Sequence, residues 1–342
     1  MKTVLQVLIS GLVLVASMIL QAGPAVIAPK AKSSLLLDIV KVSDERFVTV
    51  GQRGHILITD DSGQTWRQVP VPVDVNLTAV DFLDDKRGVA VGFDQTVLLT
   101  TDAGETWVLS HQEVSNLQPA LFNVLYTSED NITAIGSYGL YLESTDGGET
   151  WENREIASLS DVYDGFSHFY DLEQLSGDTW YMAGEKYIAE ADEMGEEFSK
   201  GMIAVTKDAG ETWQKLDSPY EGSFFGISVN GSDIYVYGLR GNLFHSNDDG
   251  VTWTSIRLQN EAGLHDMLIT PQGELVLVGT GGVLVTKKGN DVSIRKRTDL
   301  KGRAALVGLG DNRFIIVGEG GVETFDAVSS KKSVKEGQKD GK

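Results

Sequence analysis

Apolar positions along the chain recur in short alternating runs, and these runs predict four strands per structural unit. In the second unit the runs are LTAVDFLD, RGVAVGF, QTVLLTTD and ETWVLSHQ, joined by short turns rich in Gly and Asp. Units of this kind at a period of about 40 residues are typical of propeller blades. The second run of each unit ends in a Gly, at Gly51, Gly92, Gly136, Gly184, Gly238, Gly279 and Gly318. The chain is therefore predicted to be all-β and to form a seven-bladed β-propeller of four-stranded antiparallel blades.

The first run of each unit carries a small or acidic residue 12 or 13 positions before that Gly. These inner-strand positions are Asp38, Ala79, Asn123, Asp171, Gly226, Asp266 and Ala305. The polar members share one register and are expected to face the central channel. They could bind a cation such as calcium. The favoured alternative is that they are solvated or hydrogen-bonded to neighbouring backbone, so no metal site and no cofactor are predicted.

A motif of the form (S/T)xDxGxTW, here called the box, follows the third strand of five units. Its Asp and Trp pairs are Asp61 and Trp66, Asp102 and Trp107, Asp146 and Trp151, Asp208 and Trp213, and Asp248 and Trp253. The Asp is expected to accept N–H bonds of its own turn, and the Trp to cover apolar area between blades. Identical residues on five blades face five parts of a ring, so the box is assigned a structural rather than a catalytic role.

Two units depart from the pattern. The sixth has TKKGND, residues 286–291, in place of the box, and the seventh ends near Asp326 without a fourth strand. Residues near Ala25 to Ala31 are predicted to supply that strand and close the ring. The alternative, favoured by Pro24 and Pro29, is a linker without a strand.

The two ends of the chain lack the repeat pattern of the propeller. Residues 1–22 are predicted to be a signal peptide, although the apolar run is close to the length of a membrane anchor. The propeller would span residues 23–328, and the Lys-rich residues 329–342 would be disordered. The protein is therefore expected to be exported to the periplasm, or to the thylakoid lumen if the source is photosynthetic.

Composition narrows the possible partners. The 342 residues carry a formal net charge of −20 and contain no Cys. Such a body repels nucleic acid and anionic membrane surfaces, and without Cys there are no disulfides or thiol nucleophiles. A monomer that binds a membrane protein or a subunit of a membrane complex, and no nucleic acid, is expected.

Candidate partner contacts lie on the face opposite the box. The turns between second and third strands differ from unit to unit, as in a binding rim, or else vary because nothing constrains them. The fourth unit adds a 14-residue insert within EKYIAEADEMGEEFSKG and a long aromatic connection, DVYDGFSHFYD. This acidic flap and aromatic loop either form the binding surface or are a lone exposed insertion whose aromatic residues pack under it. The candidate residues are Arg53, Phe93, Tyr138, Tyr163, Phe166, His168, Phe169, Tyr170, Glu190, Glu193, Glu196 and Arg240.

The spacing of the inner-strand position, the second-strand Gly and the box resembles that of the photosystem II stability and assembly factor family. Repeats of that family carry the Asp-box, or BNR, motif. Segments such as AVGFDQTVLLTTDAGETW and VYGLRGNLFHSNDDGVTW carry the resemblance, which covers about residues 33–328. It implies a non-enzymatic scaffold that binds an integral membrane protein through an arginine-rich patch. Only Arg53 and Arg240 occupy the equivalent turns, and the lipid-attachment Cys typical of many cyanobacterial members is missing.

The box is also found in sialidases, so a sialidase-like glycoside hydrolase acting on extracellular glycans is the alternative function. That resemblance implies three clustered arginines, a Tyr nucleophile with a Glu partner, and an Arg-Ile-Pro motif. The motif does not occur in the printed sequence, and the arginines are scattered. The sequence therefore favours the scaffold over the enzyme.

Overall fold

The computed structural model describes residues 23–159, 167–188, 198–310 and 312–326. They form seven antiparallel sheets arranged as propeller blades, which confirms the predicted fold class. Blades 1 to 6 have four strands each, and blade 7 has three within the described residues. In this part of the chain no helix is long and apolar enough to cross a bilayer.

The strands of each blade run in order from the central channel to the rim. Blade 1 contains β1 (Leu36–Lys41), β2 (Phe47–Gly51), β3 (Ile56–Thr59) and β4 (Arg67–Gln68). Blade 2 contains β5 (Leu77–Phe82), β6 (Gly88–Gly92), β7 (Val97–Thr100) and β8 (Val108–His111). Blade 3 contains β9 (Leu121–Tyr126), β10 (Ile132–Gly136), β11 (Tyr141–Ser144) and β12 (Glu152–Asn153). Blade 4 contains β13 (Ser167–Ser176), β14 (Thr179–Ile188), β15 (Phe198–Thr206) and β16 (Gln214–Leu216).

The remaining blades follow the same order. Blade 5 contains β17 (Phe224–Asn230), β18 (Asp233–Gly238), β19 (Leu243–Ser246) and β20 (Thr254–Ser255). Blade 6 contains β21 (Leu264–Ile269), β22 (Leu275–Gly279), β23 (Val283–Lys288) and β24 (Asp291–Lys296). Blade 7 contains β25 (Arg303–Gly310), β26 (Arg313–Gly318) and β27 (Glu323–Asp326). Short 3₁₀ helices span Ala31–Ser33, Gln52–Gly54, Ser137–Gly139, Leu239–Gly241 and Thr280–Gly282.

Consecutive strands are antiparallel, so the turns alternate between the two faces of the ring. The turns between second and third strands lie on one face, here called the upper face, and the box turns lie on the lower face. In blade 4 the second and third strands continue past Gly184, with pairing that extends to Ile188 and Phe198. We call residues 185–188 and 198–201 the blade 4 extension, and it stands on the upper face.

The Gly that ends each second strand is required by a close approach of the backbone. A Cβ on Gly136 would lie 2.1 Å from the carbonyl oxygen of Ala120, and the other six glycines would meet a backbone oxygen at 1.9 to 2.4 Å. The same Ala120 carbonyl accepts the N–H of Ser137 at 2.9 Å. Gly136 has a φ of −170°, so lack of space rather than backbone freedom demands glycine here.

Each inner strand contains a β-bulge directly before the position that the repeats share. In β1, Leu36 pairs with Gly51 and Asp38 with Val50, which leaves Leu37 as the extra residue. The extra residues of blades 2 to 7 are Thr78, Phe122, Tyr170, Phe225, His265 and Ala304. The bulge sits beside the Gly of the second strand, so these residues lie at the upper end of the channel.

The apolar core is divided among the interfaces between neighbouring blades. The interface of blades 1 and 2 contains Val48 and Ile58 from one blade and Leu98 and Trp107 from the other. Every box Trp packs in this way against the preceding blade, as also shown by Trp66, Trp151, Trp213 and Trp253. Each blade is therefore stabilised by contact with its two neighbours.

The ring closes where β1 lies beside β25 and β26. The segment near Ala25 to Ala31 is not a fourth strand of blade 7, so that prediction is wrong and the linker alternative holds. The N–H of Ala25 donates to the Val71 carbonyl at 2.9 Å, which places the segment beside blade 1. Prolines within and before the segment lack the N–H that a strand needs.

Candidate functional site

Aromatic side chains occupy the bulged position of four successive inner strands, in blades 3 to 6. The rings of Phe122 and Tyr170 have centroids 5.4 Å apart, and those of Tyr170 and Phe225 are 5.8 Å apart. Phe225 and His265 follow at 5.9 Å. These separations are those of favourable aromatic pairs. All four side chains are partly exposed, so together they form a continuous aromatic wall at the upper end of the channel.

Two predicted contact residues extend this wall towards the rim. His168 stacks on Tyr170 at 6.1 Å and lies 5.1 Å from the ring of Tyr138, which is 49% exposed. The backbone N–H of Tyr138 donates to Nδ1 of His168 at 3.3 Å. Burial lowers the pKa of His168, which favours the neutral imidazole that can accept this bond. We call Phe122, Tyr138, His168, Tyr170, Phe225 and His265 the aromatic arc.

A carboxylate is fixed beside the aromatic arc. The hydroxyl of Tyr170 donates to Oε1 of Glu185 at 2.7 Å, and the hydroxyl of Ser223 donates to Oε2. Glu185 begins the blade 4 extension and pairs with His168 across the sheet. No Lys or Arg in the described part of the chain forms an ion pair with Glu185.

The charged groups that act on the ionisable rings of the arc are carboxylates. The charged group that acts on the pKa of His168 and of Tyr170 is Glu185, and the one that acts on His265 is Glu319. Burial is the larger effect in each case: it lowers the pKa of both histidines and raises that of Tyr170. Near neutral pH the arc thus combines uncharged rings with flanking carboxylates.

Phe169, another predicted contact, does not join the arc. It is 2% exposed and packs in the core between blades 3 and 4 with Leu172 and Trp180. Successive side chains of a strand point to opposite sides, so His168 and Tyr170 reach the upper face while Phe169 is buried. The structure therefore corrects its assignment to the partner surface.

The other contact residues predicted in the fourth unit are ones whose structure is not described. Tyr163, Phe166, Glu190, Glu193 and Glu196 lie outside the described residues. The stem of the predicted flap, the blade 4 extension, is described and stands on the expected face.

Three tip residues share an unusual backbone conformation. Arg53, Tyr138 and Arg240 have φ of 55°, 57° and 58°, and blade 6 has Gly281 at φ 63° in the same place. This conformation costs a non-glycine residue about 1 kcal/mol or more. Phe93 lies at the tip of blade 2 and is 36% exposed.

Arg240 stands at the tip of blade 5, and the N–H of its neighbour Leu239 donates to the Ser223 carbonyl at 3.0 Å. Arg240 lines a cleft of about 620 Å³ between blades 5 and 6, together with Arg257 and Lys296. The walls of this cleft come from outer-strand residues such as Ser255 and Ile294, whereas the aromatic wall stands on inner strands.

Each box Asp is held within its own turn. Asp146 accepts the Ser144 hydroxyl at 2.8 Å, the Thr150 N–H at 2.9 Å and the Thr150 hydroxyl at 2.6 Å. The same bonds recur at Asp61, Asp102, Asp208 and Asp248. The bonds from Thr150 lower the pKa of Asp146 to about 2. A carboxylate so engaged is not placed to act as a catalytic acid or base.

The channel carboxylates join neighbouring blades. Oδ1 of Asp38 accepts the N–H of Ile39, and Oδ2 accepts the N–H of Val80 in blade 2 at 2.8 Å. Asp171 and Asp266 repeat this arrangement towards blades 5 and 7, and Asn123 donates to Asp171 at 2.7 Å. These bonds match the backbone-bonded alternative. Among the described residues no group of three or more potential ligands could hold a metal.

Phe122, Phe225 and His265 were not among the contact residues predicted from the sequence. A signal for the three rings was present, because each stands one position before an inner-strand position already identified by the repeats. Glu185 is the first residue of the predicted acidic flap, but its place beside the arc depends on the blade 4 extension.

The comparisons with known proteins agree with this architecture. A family model described as Photosynthesis system II assembly factor YCF48 matches residues 64–153 and 195–291. Photosystem II assembly lipoprotein Ycf48 of Prochlorococcus marinus is 31% identical over 268 residues, 76% of this chain and 73% of that protein. Its namesake in Synechococcus sp. is 32% identical over 111 residues, 30% of this chain and 33% of that protein.

Solved structures show the same fold. A structure of YCF48 bound to a D1 peptide matches with a TM-score of 0.63 at 18% identity, covering 87% of this chain and 94% of that one. YCF48 from Cyanidioschyzon merolae matches with a TM-score of 0.63 at 15% identity, covering 89% of this chain and 99% of that one. At such identities the likeness establishes the fold alone. The family model and the Prochlorococcus relative show that the chain belongs to the Ycf48 family of photosystem II assembly factors.

Proposed function

We propose that the protein is an exported, non-enzymatic assembly factor that binds a segment of an integral membrane protein on its upper face. The observation that carries this proposal is the aromatic arc, to which blades 3 to 6 contribute rings at one repeat position. Aromatic residues are enriched where protein surfaces bind partners. A partly exposed wall of rings at a channel mouth is a surface of that kind.

Family membership supports the partner class. The relatives are named photosystem II assembly lipoproteins, and a structural neighbour is YCF48 bound to a D1 peptide. By analogy, the partner here is a segment of a membrane protein, met on the side of the membrane to which the protein is exported. The blade 4 extension borders the arc through Glu185 and provides a second wall beside it.

The geometry offers little support for glycoside hydrolysis. Arg46 lies 2.6 Å from Asp60, Arg87 lies 2.8 Å from Asp84, and Arg154 lies 3.2 Å from Glu143. These guanidinium groups are occupied by carboxylates near them rather than gathered around one site. A sialidase-like enzyme needs arginines that converge on its substrate.

Site-specific crosslinking in cells tests the proposal. A photo-crosslinking amino acid is placed at Tyr138, in the arc, and as a control at Val251, which is 72% exposed in a box turn on the lower face. We expect position 138 to capture an integral membrane protein, identified by mass spectrometry, and position 251 not to capture it. Equal capture at both positions, or none at 138, would refute the proposal. Hydrolysis of a sialoside or glucan by the purified protein would instead support the enzyme.

A further inference from the structure

We propose that the aromatic arc recognises a positively charged side chain, Lys or Arg, in the segment that it binds. This inference rests on the proposed function and adds the chemistry of the contact. The arc supplies both elements of a cation site, ring faces and a fixed carboxylate.

The rings are arranged around Tyr170. Phe122, Phe225 and His168 each lie within 6.1 Å of its ring, centroid to centroid. The partial negative charge on ring faces attracts an ammonium or guanidinium group within about 6 Å, and the attraction grows as water is removed.

Glu185 supplies the counter-charge. Hydrogen bonds from Tyr170 and Ser223 hold both of its carboxylate oxygens in place beside the rings. A carboxylate positioned before binding loses little conformational entropy when a cation arrives. The hydroxyl donors leave acceptor capacity on the carboxylate, because its two oxygens offer about four lone-pair sites.

The same carboxylate disfavours other partners. An apolar segment placed over the arc would remove water from Glu185 without giving it a counter-ion, and an acidic segment would add repulsion. Glu319 adds a second negative charge near His265, and the whole chain carries −20. Charge complementarity therefore selects a basic segment.

Three labelled peptides test the inference by fluorescence anisotropy with the purified protein. In the first, Lys alternates with Leu, and the other two carry norleucine or Glu in place of Lys. We expect the Lys peptide to bind most tightly and its affinity to fall with added salt. Glu185→Gln removes the charge but keeps the size, and should weaken the Lys peptide about tenfold. The norleucine peptide should bind the variant as tightly or more tightly, because the charge that an apolar segment would desolvate is gone.

Glu149→Gln is the matched control, because Glu149 is exposed in a box turn on the lower face and should not affect any peptide. Equal binding of the three peptides, or an equal loss in both variants, would overturn the inference. Thermal unfolding of both variants shows whether each is folded.

Failure of this inference and failure of the proposed function are separable. If position 138 captures a membrane protein but Lys gives no advantage, the cation site is wrong and the assembly function stands. If position 138 captures nothing while the Lys peptide depends on Glu185, the cation site stands and the assembly function is wrong.

Discussion

The carboxylate of Asp171 in blade 4 accepts the N–H of Ile227 in blade 5 at 2.9 Å. An equivalent bond at 2.8 Å joins blades 1 and 2, and one at 2.7 Å joins blades 6 and 7. In each case the acceptor directly follows the bulge of an inner strand. Each of these Asp side chains thus accepts two backbone N–H groups and joins neighbouring blades beside the channel.

Asp171→Ala should lower the free energy of unfolding by about 2 kcal/mol, because the N–H groups of Leu172 and Ile227 lose their acceptor. Urea unfolding monitored by fluorescence measures this. Asp85→Ala, at an exposed turn position, is the control and should change stability by less than about 0.5 kcal/mol. Equal effects of the two substitutions would show that the bond between blades contributes little.

Stability should rise as the pH falls from about 8 to about 5. Burial raises the pKa of Asp266 and Glu173 to about 8, and that of Asp38 and Asp171 to about 6. The folded protein therefore binds these protons more tightly than the unfolded chain, whose carboxylates titrate near about 4. Thermal unfolding across this pH range measures the trend, and Asp266→Asn should flatten it. A melting temperature that increases from pH 5 to pH 8 would contradict the expectation.

Below about pH 4 the trend should reverse. The hydrogen bonds of the box turns lower the pKa of Asp61, Asp146 and Asp248 to about 2. The stability that these charged groups provide is present above the unfolded pKa and is lost as the pH falls towards 2. Asp146→Asn should reduce this acid-induced loss in the same thermal measurement. If the melting temperature of that variant fell below about pH 4 as steeply as that of the unchanged protein, other carboxylates would account for the loss.

Gly136→Ala should destabilise the protein by about 2 kcal/mol or more, because the added methyl would lie 2.1 Å from the Ala120 carbonyl oxygen. Gly139→Ala is the matched control. Gly139 has open space around its Cβ position but a φ of 75°, so only the backbone cost of about 1 kcal/mol applies. Chemical denaturation compares the two variants. A larger loss at Gly139 would mean that the close approach is easily relieved.

Glu323→Gln should cost about 3 kcal/mol, because it removes the charge that pairs at 2.8 Å with Arg303, whose side chain is 7% exposed. Blades 1 to 6 carry a buried apolar residue at the position of Arg303, such as Leu36 or Leu264. Adding Arg303→Leu should therefore recover much of the loss. Denaturant unfolding of the single and double variants measures the recovery, and a further loss in the double variant would contradict it.

Much of the fold follows from the regular spacing of residues within each repeat. The Gly of each second strand and the inner-strand position 12 or 13 residues before it mark two paired strands. Spacing could not place the segment near Ala25 to Ala31, because its contacts with blade 1 involve residues far along the chain. The repeats did carry a signal for the burial of Phe169, because it stands two positions before Asp171, as Leu36 stands before Asp38 and Leu264 before Asp266.

The sequence by itself determined the number of blades, the box turns and the face on which the tips and the blade 4 extension lie. These features arise from interactions between residues a few positions apart, so the local sequence is enough to predict them. Only the tertiary structure decided that Phe122, Tyr170, Phe225 and His265 form one wall, with Glu185 fixed beside it. The reason is that the bulges and the packing of blade on blade, which are long-range contacts, set the distances between these rings.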